Sequence, residues 1–324
     1  MVSTSEISRV LDLRQELIGW MDSLKGASWA FVALGAAGQE GIPVPYGPGW
    51  LDAPDAKRQV LDGMPRAWEL AGRYSRLLST AHSFYITSEM TQFLLAAAHK
   101  LPAEVLHLTD LASPRGLMLL AQPMPMQIDR DPYETSFVDG VMWELQYYDD
   151  HPGTPYLHLA ALAHPHPKKY EDREAYASRV PTLLMTWPLG QPWPEPATDS
   201  PSQLLLKKFL LTFLRVCWQR VPLIAEQKPD RAALRRAARA GLDLDEVATV
   251  RVVQLRRAQT RADEDSDREA EPVNWSHRWM VGAFWRQQWY PSLGQHRTIL
   301  ILPYIKGPPD KPLVFKDTAY SLEC

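Results

Sequence analysis

Apolar side chains between residues 5 and 25 recur at three- and four-residue spacings, through Ile7, Val10, Leu11, Leu13, Leu17, Ile18, Met21 and Leu24. That period places them on one stripe of an amphipathic helix. From Gly35 to Pro54 the pattern dissolves into Pro43, Pro45, Gly47, Pro48 and Gly49, which predicts a loop. A second helix is predicted over 54–78, with Val60, Leu61, Trp68, Leu70, Tyr74 and Leu77 inward and with Gly63 and Pro65 as the points where it would break.

The period then shortens. Residues 83–87 form a β-prone run, and Thr87 or Ser88 can cap an Ala/Leu-rich helix that stops near Lys100 and Pro102. Runs over 117–121, 141–148, 156–162 and 183–189 predict further strands. With one clear helix among so many strands, an antiparallel or mixed sheet is favoured over a doubly wound one, and the fold class is α+β. The most apolar stretch, 202–226, predicts a long buried helix bent or ended by Pro222, followed by a basic helix from Asp230 to Ala240 that Gly241 terminates. Strands over 247–255, 275–290 and 298–306 are expected to form a three-stranded antiparallel meander backed by the long helix. Between the first two, residues 258–272 hold six acids and no large apolar side chain, as a mobile loop does.

Charge divides the chain more sharply than its net of −3 suggests. Residues 1–204 carry 15 basic and 24 acidic side chains, and residues 205–324 carry 20 and 14. Two parts are therefore expected, an acidic one over 1–200 and a basic one over 201–324, packed together as one unit. The basic part can attract an anionic partner or dock on the acidic part. No run reaches the length of a membrane-spanning helix and no secretory leader is legible, so a cytoplasmic location without membrane attachment is expected. With two cysteines, Cys217 and Cys324, neither a disulfide framework nor a four-thiolate zinc site is available.

The densest chemistry lies near the end of the chain. Alternation along 275–290 places Arg278, Met280, Gly282, Phe284, Arg286 and Gln288 on one face and Trp279, Val281, Ala283, Trp285 and Trp289 on the other. Arg251, Arg256, Arg278, Arg286, Arg297 and Lys306 could contact phosphates while Trp285, Trp289 or Tyr290 stack on bases, the combination that holds single-stranded nucleic acid. A catalytic alternative takes His277 or His296 as the proton carrier, with Arg286 and Lys306 holding a phosphate-bearing substrate. In a third reading the twelve tryptophans of the chain form a core and an apolar surface for a protein partner. His151, His158, His164 and His166, beside Asp149 and Asp150, have neither HExxH nor paired-cysteine spacing, and no metal or cofactor is expected. Phosphate-loop, dinucleotide and nucleophile-elbow motifs are also missing.

The pattern Arg286-x-Gln288-Trp289-Tyr290-Pro291-Ser292, His296-Arg297 and Pro303-Tyr304-x-Lys306-Gly307-Pro308 resembles the ending of an uncharacterised family of actinobacterial and actinophage proteins with no established activity. The resemblance is confined to this segment. It implies a bacterial or phage origin and a mobile-element or host-defence setting, and it carries over no catalytic residue.

Overall fold

The structure, a computed structural model, describes residues 2–36, 56–102, 105–126, 136–149, 151–163, 179–191, 201–219, 222–255, 276–308 and 311–312. Helix α1 spans Thr4–Met21, opened by a capping box between Ser3 and Glu6 that satisfies two backbone donors reciprocally. After it come α2 (Leu24–Ala36), which the periodicity did not separate, and α3 (Ala56–Thr80). Pro65 sits inside α3 without ending it, on the exposed side of the helix.

Strand β1 (His82–Ile86) leads through α4 (Ser88–His99) to β2 (Arg115–Met126), then β3 (Ser136–Tyr147), β4 (Pro155–Ala163) and β5 (Val180–Pro188). The helix α5 (Pro201–Trp218) ends before Pro222, and Pro222–Gln227 is an edge strand, β6, instead of a continuation of the helix. Proline suits the first residue of an edge strand, where its missing N–H breaks no ladder. The short helices α6 (Arg231–Arg239) and α7 (Leu244–Val247) follow, with Gly241 at φ +78 in the turn between them, and then β7 (Val250–Leu255).

These strands build one seven-stranded mixed sheet in the order β5-β4-β3-β2-β1-β7-β6. Strands β2, β1 and β7 are mutually parallel, and the other neighbours are antiparallel. The α+β class is as expected, but β7 is an interior strand of this sheet, between β1 and the edge strand β6, and not part of a C-terminal meander. Its Val250, Val252 and Val253 are fully buried, which only a central strand allows.

Two apolar layers sandwich the sheet. On one face Ile7, Leu17 and Trp20 of α1, Phe31 of α2 and Ala71, Tyr74 and Leu78 of α3 pack on Tyr85, Leu117, Leu119 and Met142. On the other, Met90 and Leu94 of α4 and Phe209, Leu210 and Phe213 of α5 pack on Phe84, Met118, Val141 and Trp143. A Cβ on Gly116 would stand 2.0 Å from the Trp143 ring, so only glycine lets that indole lie against β2. Ion pairs also tie acids of the first part to bases of the second: Asp12 to Arg236 at 2.7 Å and the buried Asp110 to Arg215 at 2.6 Å. Among the described residues no helix is long and apolar enough to cross a membrane.

Candidate functional site

The C-terminal strands are β8 (Trp279–Val281), β9 (Phe284–Tyr290), β10 (Gln295–Ile301) and β11 (Tyr304–Lys306). They form two antiparallel ladders, β9 with β10 and β8 with β11. Both keep one register. Phe284 faces Ile301, and three residues further from the turn on each strand Val281 faces Tyr304. The pair is thus a single long ribbon, interrupted where Pro303 has no amide hydrogen to give. Gly294, at φ +61, closes the turn at its tip.

One side of the ribbon is anchored to the body. Leu300 is buried in the core formed with α4 and α5, Trp285 donates its indole N–H to the Ala97 carbonyl at 3.0 Å, and Leu300 N–H donates to Gln219 Oε1 at 2.9 Å. Strand β10 is therefore the inner strand. Arg286, Gln287 and Trp289 of β9 are exposed.

Pairing across the ladder sets the two faces. Trp289 lies opposite His296, their rings 4.9 Å apart, and Trp289 remains 47% exposed. On the other face Arg286 pairs with Ile299, Gln288 with Arg297 and Tyr290 with Gln295. Arg286 donates to Gln288 Oε1 at 2.7 Å, and Arg297 reaches Thr109 Oγ1 at 3.1 Å. Among the described residues neither guanidinium has a carboxylate partner. Between Arg297 and the end of α5 lies a recess of about 140 Å³ lined by Arg215, Gln219, Tyr290, Arg297, Thr298 and Ile299. The periodicity of 202–226 hides Arg215 and Gln219, although an arginine between Leu214 and Val216 is a signal that this helix end meets something polar.

The remaining candidates are dispersed. Arg251 belongs to the central sheet, 3.4 Å from Glu226, 2.8 Å from His82 Nδ1 and over the Phe84 ring, so it is no part of the ribbon. Arg256 lies outside the described residues. Arg278 donates to the Lys311 carbonyl at 2.7 Å, His277 lies beside Trp279, and Lys306 sits 5.9 Å over the Trp279 ring. At about 3.3 Å per residue, the ten steps along the chain from His296 to Lys306 separate them by roughly 30 Å. An extended ribbon cannot fold His277, Arg286, His296 and Lys306 into one catalytic centre.

Of the histidine cluster, His164 and His166 lie outside the described residues. His151 is exposed, its ring 5.9 Å from that of Tyr156, and His158 is held between Tyr148 Oη and Thr186 Oγ1. Burial, then the nearby Arg73 charge, pushes His158 down to about 3. Among the described residues no group of three or more His, Cys, Asp or Glu side chains is placed to hold a metal.

No family model matches the chain, and no curated protein does. Three solved chains match, one being the crystal structure of AcrVA2, 11% identical over 94% of this chain and 97% of that chain, with a TM-score of 0.38. A likeness of that size carries no argument about activity, so function has to come from the residues of this chain.

Proposed function

We propose that the tip of the C-terminal ribbon binds single-stranded nucleic acid. The observation that carries this reading is the pair Arg286 and Arg297, on one face with Tyr290 and both lacking a carboxylate partner among the described residues, with Arg297 and Tyr290 bordering a recess that Arg215 also lines. Cations that no carboxylate neutralises keep their attraction for phosphate, and flat rings beside them supply stacking worth about 1–3 kcal/mol per base. The exposed Trp289 occupies the opposite face, so a strand that meets both the arginines and the indole crosses the outer edge of β9. Gln288 adds an amide that can donate to phosphate or to a base edge. The resemblance of this segment to actinobacterial and actinophage proteins supports a phage, mobile-element or host-defence setting.

The test is a fluorescence anisotropy titration of the full chain against labelled single-stranded DNA and RNA at several salt concentrations. Affinity is expected to fall linearly on logarithmic axes as salt rises, with a slope near −0.7 per phosphate contact. Absence of salt-dependent binding to either polymer removes the proposal.

A second reading rests on the other half of the ribbon. Phe284, Leu302, Tyr304 and Ile305 are 38%, 38%, 44% and 50% exposed. Neighbouring exposed apolar groups of this kind favour a protein partner. Stoichiometric co-purification of such a partner, lost in Ile305→Asp, tests that reading.

A further inference from the structure

The register of the sheet shifts on both sides of β3 near Asp139, beside a cavity of about 460 Å³ between α1 and β2. Along β2 and β3 the register jumps from Leu119↔Gly140 to Met124↔Val138. Along β3 and β4 it jumps from Gly140↔Leu162 to Val138↔Ala163. Asp139 thus has no partner in either ladder. Val138 and Val141, three residues apart, both enter the α4–α5 core, which strict alternation forbids and one extra residue permits. This bulge re-aims Asp139 toward the α1 side, where it ion-pairs with Arg179 at the cavity wall.

The floor of the cavity is apolar, from Leu13, Leu119, Ala121 and Pro123. Its wall holds four carboxylates, Glu6, Asp12, Glu16 and Asp139, against two guanidiniums, Arg9 and Arg179. Arg236 ion-pairs with Asp12 from α6. Glu6 is fixed in place: its Oε2 accepts from Ser3 N–H at 2.8 Å, and its Oε1 accepts from Tyr85 Oη at 2.9 Å. Hydrogen bonds from Ser3 and Tyr85 hold Glu6 below the usual carboxylate range, while burial and then the bond to Glu6 push Tyr85 up to about 12. Tyr85 therefore stays a donor and Glu6 an acceptor with a lone pair to spare.

We infer that this cavity binds a small organic cation, an amine or guanidinium on a short apolar body, with the charged head at Glu6 and Asp139 and the body on Leu119 and Pro123. The volume lies within the range of small-molecule pockets, and an apolar floor with a few fixed polar groups is their usual construction. Nothing in this site depends on the ribbon, so either proposal can fail without the other.

The test is a titration of the full chain, with leucine methyls isotopically labelled, against agmatine, followed by methyl NMR, with citrate as the anionic comparison. Saturable shifts of the Leu13, Leu119 and Leu120 methyls are expected with agmatine and not with citrate. Glu6→Gln retains the capping function at the head of α1 and should weaken agmatine at least five-fold, and Tyr85→Phe should do so through the freed Glu6 carboxylate. Still methyls at millimolar agmatine, equal shifts with citrate, or an affinity that Glu6→Gln leaves unchanged each overturn the inference.

Discussion

The indole of Trp285 donates to the carbonyl of Ala97 across 3.0 Å, joining a strand of the ribbon to the last turn of α4. The contact adds a second donor to a helix-end carbonyl that already accepts from Lys100 N–H at 3.1 Å, and it fixes where the ribbon leaves the body. Trp285→Phe keeps the ring and removes the donor, at a cost of about 1 kcal/mol. Hydrogen exchange should quicken for the β9 and β10 amides and stay unchanged in β1 to β4.

Arg14 is fully buried yet has no carboxylate beside it among the described residues. Its guanidinium donates to Leu78 O, Ala81 O and Ser83 Oγ at 2.7, 2.6 and 2.6 Å, capping the end of α3 and the entry to β1. Burial pulls it down to about 10, so it remains charged at neutral pH. Arg14→Met leaves two buried carbonyls without this donor, each worth about 1–3 kcal/mol, partly offset by the relief of a desolvated cation. Urea denaturation should show a net loss of about 2–4 kcal/mol, of that same order.

The pair of Asp110 and Arg215 sits beneath the ribbon tip, with Asp110 also accepting from His107 N–H at 2.9 Å. Asp110→Ala removes the carboxylate from a buried guanidinium, and such removals destabilise by about 3–5 kcal/mol. A thermal melt of the variant against the wild type measures it.

His158 makes stability depend on acidity. Its folded value of about 3 lies below its ordinary value, so the native state refuses a proton that the unfolded chain accepts. The stabilisation is complete above about pH 6.5 and is lost as pH falls toward 3, at no more than about 1.4 kcal/mol per pH unit. His158→Gln should flatten the difference between stability at pH 6.5 and at pH 4.5. A wild-type profile as flat as that of the variant would contradict the buried, uncharged imidazole.

Much of the architecture was legible because the local period matched the burial. Runs over 83–87, 117–121, 141–148, 156–162 and 183–189 all became strands of the sheet, and Gly241 ended its helix with a positive φ. Residues 222–227 escaped because Leu223 and Ile224 continue the apolar content of α5 and only Pro222 marks the change. The place of β7 depends on its parallel pairing with β1, more than 160 residues away, which no local pattern encodes. For the candidate site, alternation along 284–290 placed Arg286 and Gln288 on one face correctly. Arg251 was misgrouped by sequence proximity, and the extra residue at Asp139 shows only in the pairing of β3 with β4, which no local pattern encodes.

The central claim is that Arg286 and Arg297 are phosphate contacts, and the most direct measurement is the salt dependence of single-stranded DNA binding in wild type and in Arg286→Gln/Arg297→Gln. The account predicts a slope shallower by about 1.4 in the double variant, two contacts at about 0.7 each, with weaker binding at low salt. An identical slope and affinity in the two proteins would contradict it.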